Sequence, residues 1–283
     1  MKRIYLIGGN GRLGRALVGE YAGAEVVALD RAVYQSWSRE GAEADVARYF
    51  GRQETDAVIF VTSGLLDPRL PPDMLLGVNY LLPKNVIAAV TPLPMRVVTF
   101  GTAMEALAQA TNPYIESKRR LSEYVDNVAQ KGGAALHLQI HTLYGIGEPT
   151  SFMFLGQIVG AIRRNVEFNM TSGRQLREYH HLGDEVRAIR WLAESPLRGT
   201  AGLSHGNPVT LSSIAESVFA SLGKRNMLKL GALPDPAEEN YEKTFEPVTL
   251  PATIRFRETI PAIVDYMKSC LSKDSEQGKE FGR

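Results

Sequence analysis

The chain has 283 residues, 32 Lys+Arg against 31 Asp+Glu, and a formal net charge of +1. So even a balance offers no basic field for nucleic acid and no acidic tail, and long-range steering of a charged substrate is not expected. Apolar residues are 44% and charged residues 22%, which excludes a disordered chain. The lone Cys270 excludes an internal disulfide and a thiolate metal cage.

The opening, MKRIYLIGGNGRLG, has about five apolar residues before glycines intervene, too few for a signal peptide. No apolar run approaches the ~20 residues of a membrane span, so a cytoplasmic protein without a membrane partner is expected. Residues 4–7 are a short apolar run ending in glycines, the pattern of a buried strand. Leu13, Ala16, Leu17 and Tyr21 then recur at helical spacing. Residues 24–29, 57–61, 97–100 and 134–140 read as further strands. Between them Leu75, Val78, Leu82, Val86 and Ala89 form the apolar stripe of a helix. A second helix over 113–131 opens with Asn112-Pro113 and closes at Gly132-Gly133, good capping chemistry at both ends. Alternating strands and amphipathic helices predict an α/β fold with a doubly wound parallel sheet. The regularity stops near Tyr144. Helices are expected over 155–164, 184–194, 211–222 and 258–271, with a loop MTSGRQLRE, a Pro-rich stretch over 230–251 and a frayed tail at 273–283.

Gly8, Gly11 and Gly14 form GxxGxxG between the first strand and the first helix. With 26 glycines in the chain such spacing arises about 0.2 times by chance, so its context decides. Backbone without Cβ lets a pyrophosphate approach the free N–H groups of a helix N-terminus, with Asn10, Arg12 and Leu13 in the same loop. Asp30, at the end of the second strand, suits the hydroxyls of an adenosine ribose. Its charge opposes a 2′-phosphate and favours NAD over NADP, although Arg31 and Arg12 are equally placed to pair with that phosphate or to be solvated surface residues. Asp45 is placed either to cap a helix or to bond an adenine amino group. This reading makes residues 1–145 a dinucleotide-binding Rossmann-type domain. Residues 146–283 are mainly a small substrate-binding part, with 183–206 packing back onto the first domain.

Tyr114 and Lys118 stand at i and i+4, on one helix face. A phenol near pKa ~10 needs help to exchange protons at neutral pH; a neighbouring ammonium and a positive nicotinamide ring are expected to draw it down. Thr102, just past a strand, would hold the substrate oxygen. A rival YxxxK pair, Tyr80 and Lys84, contains Pro83, which distorts a helix unless it falls in the first turn, and places Tyr80 opposite the buried stripe. Tyr114 is therefore preferred. Arg177 is an anion-seeking guanidinium in a glycine-containing loop, with a structural salt bridge as the alternative. For His180 and His181 no Asp, Glu or Cys is seen at ligand spacing, and neighbours on a strand face opposite ways, so no metal is expected.

With these motifs the sequence resembles the extended short-chain dehydrogenase/reductase family of nucleotide-sugar epimerases, dehydratases and ketoreductases. GGNGRLG is similar to its glycine loop, Asp30 to its ribose acid, Asp45-Val46 to its adenine contact, and FVTSG, with Thr62, Ser63 and Gly64, to its strand-end segment beside the cofactor. VNYLLPKNV resembles its helix with a leading asparagine, Asn79. The resemblance implies Thr102, Tyr114 and Lys118 as the catalytic set, NAD(P) as cofactor, and a nucleotide sugar held by Thr102, Thr142 and Arg177, with Asp184 as a helix cap. In similar proteins two long helices pack between subunits, which implies a homodimer. Ala103 and Met104 stand where dehydratases have an acidic pair, and Gln139 and Thr142 where members often have Arg and Asn. The resemblance thus implies a 4-ketoreductase of a nucleotide-linked 4-keto-6-deoxyhexose. The alternatives are a 4-epimerase with tightly kept NAD and a dinucleotide-binding regulator without catalysis.

Overall fold

Every strand expected in the first half of the chain lies in one parallel sheet. The computed structural model describes residues 3–51, 56–107, 112–237 and 239–280, with 273–280 described by backbone alone. Strands β1 (Arg3–Ile7), β2 (Val26–Leu29), β3 (Ala57–Val61), β4 (Met95–Thr102) and β5 (Ala135–Ile140) are joined by Gly199–Gly202 in the order β2-β1-β3-β4-β5-Gly199–Gly202. All neighbours run parallel. Crossover helices cover both faces of such a sheet, so its strands read as unbroken apolar runs; β3, AVIFV, is buried throughout.

The helices of this unit are α1 (Arg12–Glu20), α2 (Arg31–Tyr34), α3 (Glu43–Phe50), α4 (Pro72–Leu76), α5 (Leu82–Val90) and α6 (Pro113–Gln130). Tyr5, Ile7, Phe50, Ile59, Val86 and Leu121 belong to its apolar core. The chain turns to opposite sides of β1 into β2 and β3. Ligands of doubly wound sheets bind at the carboxyl ends of the strands where the order reverses in this way. The segments after β1 and β3 meet there.

The helix expected through Leu75 and Ala89 comes in three pieces. Between α4 and α5 lies a π-helical turn, Gly77–Leu81, whose closing bond runs from the Leu82 amide to the Gly77 carbonyl. Pro83 falls in the first turn of α5. A proline ring clashes with the carbonyl four residues earlier, and the wider turn moves that carbonyl aside. α6 begins as expected, with Asn112 Oδ1 accepting the Ile115 amide at 3.1 Å.

The first compact unit comprises 1–140 and 186–203, the second 141–185 and 204–283. In the second, Thr142–Tyr144 pairs in parallel with Tyr179–His181, which moves the break in the chain to residue 140. Helices α7 (Phe154–Arg164), α9 (Leu211–Ser221) and α10 (Thr259–Glu280) lie here, and α8 (Leu182–Glu194) starts here and ends in the first unit. Ile158, Phe168, Val218, Phe219, Ile263 and Met267 share the core of this unit, and Cys270 is buried in it. The tail expected to fray continues α10 to Glu280; 281–283 lie outside the described residues. Among the described residues no helix is long and apolar enough to cross a membrane.

Candidate active site

The glycine loop follows β1 directly. Gly8 has φ +93°, and a Cβ there would lie 2.5 Å from the Ser63 amide nitrogen. A Cβ on Gly14 would lie 2.5 Å from the Gly8 carbonyl oxygen and 2.7 Å from Gly9 Cα, so α1 rests on the loop with no room for a side chain. Gly11 differs: a Cβ there meets only the Gly8 carbonyl oxygen, at 3.3 Å. It is the N-cap of α1, and no side chain caps the helix.

The segment after β3 is tied to this loop and to α6. Thr62 and Ser63 donate their amides to the Ile7 carbonyl at 2.8 and 3.0 Å, and Thr62 Oγ1 donates to the same oxygen. Asn79, in the π turn, is fully buried. It accepts the Leu65 amide at 2.8 Å and donates to the Leu65 carbonyl and Ser117 Oγ at 3.0 and 3.2 Å. Its polar atoms are thus engaged within the protein, and the expectation of a direct cofactor contact is corrected to a positioning role. A Cβ on Gly64 would stand 3.6 Å from Lys118 Nζ.

Thr102 ends β4, and its side chain accepts the Met104 amide at 3.3 Å and acts on the Tyr114 phenol in the direction of ionisation. Lys118, one turn further along α6, donates from Nζ to the Phe100 carbonyl at 2.8 Å. The three expected catalytic side chains therefore gather at the carboxyl end of β4. Glu105 was not anticipated. It lies in the 3-10 turn Ala103–Ala106 with its side chain 1% exposed, accepting the Thr102 amide at 2.6 Å and Gln139 Nε2 at 3.1 Å. His137 Nε2 lies 3.4 Å away, and His137 Nδ1 meets Thr99 Oγ1 at 2.8 Å. A Cβ on Gly101 would collide with both Glu105 and His137, so the pair fills the space that glycine leaves. The signal was present in the sequence as a carboxylate three residues after the threonine, but only the fold turns it inward.

Burial works against the Glu105 charge, yet His137, the Thr102 amide and Gln139 hold its carboxyl below the usual range. Burial, and then the Glu105 charge, push the Tyr114 phenol well above its ordinary value, and Thr102 opposes them only in part. Burial brings Lys118 down to about 8, with Glu105 pulling the other way. Burial and the Glu105 carboxylate thus both favour the neutral phenol.

Of the outer residues, Asp30 is exposed and caps α2, accepting the Ala32 amide at 2.8 Å; Arg31 is exposed beside it. Asp45 does not cap α3, whose N-cap is Ala42. It pairs with Arg39 and with Arg48, the latter at 2.9 Å, while Val46 is fully buried. In the rival motif Lys84 faces Glu43 at 3.6 Å and Tyr80 packs against the apolar core.

In the second unit Arg177 forms the alternative salt bridge, with Glu239. Thr142 opens a short strand, half-buried. Asp184 lies in the first turn of α8, and its carboxylate, 2% exposed, receives the Arg257 guanidinium at 2.8 and 2.9 Å and the Arg257 amide at 3.0 Å. His180 and His181 do face opposite ways, His181 packing on Tyr144. The absence of accompanying acids is corrected, because His180 Nδ1 lies 2.7 Å from Glu185 Oε2 and its Nε2 3.2 Å from Glu178 Oε2.

The family model of the NAD dependent epimerase/dehydratase family matches residues 4–204, which takes in the loop, the sheet and the catalytic set. The chain belongs to that family. A comparison with curated protein sequences found no match. Among solved structures, the chain is similar to dTDP-4-dehydrorhamnose reductase from Yersinia enterocolitica at 16% identity and TM-score 0.78, over 96% of this chain and 100% of that one. It is also similar to UDP-glucose 4-epimerase from Thermus thermophilus in complex with NAD, at 19% identity and TM-score 0.72, over 94% and 99%. A third similar structure is dTDP-4-dehydrorhamnose reductase from Bacillus anthracis str. Ames in complex with NADP, at 14% identity and TM-score 0.71, over 95% and 99%.

The family's dinucleotide fits this loop. Gly11, where a Cβ would meet nothing but the Gly8 carbonyl oxygen, an α1 N-terminus without a side-chain cap and the closely packed Gly8 and Gly14 form the cradle that a pyrophosphate needs.

Proposed function

We propose that this epimerase/dehydratase family member is an NAD(P)-dependent 4-ketoreductase of a nucleotide-linked 4-keto-6-deoxyhexose. The observation that carries the reading is one continuous set of contacts in the first unit. Gly8 abuts Ser63, Gly64 abuts Lys118, and Lys118 shares α6 with Tyr114, whose phenol feels both Thr102 and Glu105 at the end of β4. The loop amides of Arg12, Leu13 and Gly14 would hold the pyrophosphate, and Asp30 the adenosine ribose, which favours NAD. The nicotinamide, when bound, supplies the hydride.

Tyr114 delivers the proton to the carbonyl oxygen, and Thr102 orients that oxygen. Glu105 is an unsuitable acid for elimination of water, because the Thr102 amide, Gln139 and His137 keep it ionised; this favours reduction over dehydration. Lys118 would hold the nicotinamide ribose. In the second unit Arg177 would exchange Glu239 for the diphosphate of the sugar nucleotide, with Thr142 as a further contact.

The test is incubation of the full chain with NADH or NADPH and a 4-keto-6-deoxy sugar nucleotide. Stoichiometric cofactor consumption, lost at least 10²-fold in Tyr114→Phe with dinucleotide binding retained, supports the reading. Interconversion of 4-epimers without net consumption would replace it with the epimerase. Binding of dinucleotide with neither reaction would leave a regulator.

A further inference from the structure

We infer that Glu178, His180 and His205 form a binding site for a divalent transition-metal cation of the zinc class in the second unit. Each offers one ligand atom, and these atoms lie within 4.8 Å of one another. Glu178 Oε2 is 3.2 Å from His180 Nε2 and 3.5 Å from His205 Nδ1. A tetrahedral cation with bonds of ~2.0–2.1 Å needs neighbouring ligand atoms about 3.3 Å apart, which the two separations from Glu178 already approach. Two imidazoles and one carboxylate, with a fourth position open, are a donor set suited to zinc; magnesium and calcium prefer all-oxygen shells.

The support around these side chains points the same way. Glu185 Oε2 on His180 Nδ1 at 2.7 Å turns Nε2 toward Glu178, the arrangement that orients metal-bound histidines. Glu178 is itself fastened by Ser204 Oγ at 2.7 Å and the His205 amide at 2.8 Å. His141 Nε2 lies 3.8 Å from Glu178 Oε1 and is a further nitrogen within reach. Phe256 packs 4.6 Å from the His180 ring centre and Phe245 5.0 Å from that of His141, an apolar shell that excludes water.

A proton shared between His180 and the two carboxylates is the competing account. It leaves two fully buried carboxylates facing one positive charge. A divalent cation balances both carboxylates and takes a nitrogen of His205. Ligation through His205 Nδ1, the nitrogen 3.5 Å from Glu178 Oε2, gives up the Asn207 amide that it accepts at 3.1 Å.

The test is titration of the chelator-treated full chain with Co2+ and then Zn2+. The expected result is one equivalent of Co2+ bound with micromolar or tighter affinity, visible absorption of a low-coordinate nitrogen/oxygen site, and stoichiometric displacement by Zn2+. His205→Gln, at the rim, should keep the wild-type circular dichroism and lose the absorption. Glu185→Gln should weaken binding 10- to 100-fold as an outer-shell change. Wild-type protein that binds neither ion at one equivalent overturns the inference, whatever the variants do. So does a Co2+ spectrum unchanged in a folded His205→Gln protein. Neither result bears on the reductase reading, which rests on the first unit.

Discussion

Removing the Glu105 carboxylate tests whether it organises the catalytic end of β4. In Glu105→Ala the Thr102 amide and Gln139 Nε2 lose acceptors at 2.6 and 3.1 Å, each worth about 1–3 kcal/mol when left buried and unpaired. Loss of a buried charge returns part of that through desolvation, for a net cost of about 3 kcal/mol. At roughly 2–4 °C per kcal/mol, the melting temperature should fall by about 6–12 °C. Glu105→Gln keeps the shape and one acceptor and should cost about 1 kcal/mol. Because the folded carboxyl lies below its unfolded value of ~4.3, the charge stabilises fully above that pH. The benefit is lost as pH falls through the folded value. The difference between wild type and Glu105→Gln in urea unfolding should therefore shrink on acidification below about pH 4. A Glu105→Ala melting curve within 1 °C of wild type, or a difference independent of pH, would refute the reasoning.

Other changes test the remaining supports. Gly14→Ala sets a Cβ 2.5 Å from the Gly8 carbonyl oxygen; overpacking of about 1–3 kcal/mol should appear in thermal unfolding, with dinucleotide affinity by calorimetry reduced at least tenfold. Asn79→Leu frees both polar groups of Leu65 from a buried partner and should cost about 2–4 kcal/mol by denaturant unfolding, while Asn79→Asp should keep part of that through the Leu65 amide. Asp184→Ala abandons the Arg257 guanidinium, which is 45% exposed and finds water; a loss of about 1–2 kcal/mol is expected, read as a lower urea midpoint.

Local patterns carried far in this chain because they rest on short-range chemistry. Apolar runs stopped by glycine mark strands of a buried parallel sheet, since a strand covered on both faces needs no polar alternation. Asn112-Pro113 marks the start of α6 because a side-chain acceptor and a fixed φ act on the next residues only. The glycine spacing and the Tyr114–Lys118 pair are likewise properties of one loop and one helix face. Pro83 in the sequence warned of distortion, but which remedy the helix adopts, a π turn at Gly77–Leu81, depends on what packs around Asn79.

Partners from distant segments were legible only in three dimensions. Glu105 and His137 meet because β4 and β5 are adjacent, and Gly101 leaves them room. Arg177 found Glu239, Asp184 found Arg257, and Glu178 joined His205 and Ser204, across separations of 26 to 73 residues. The sequence determined which segments become strands, loops and helices, and which loop suits a dinucleotide. Tertiary structure decided the burial of Glu105 and Lys118 and the neighbours of Tyr114, because these depend on what folding assembles around a side chain.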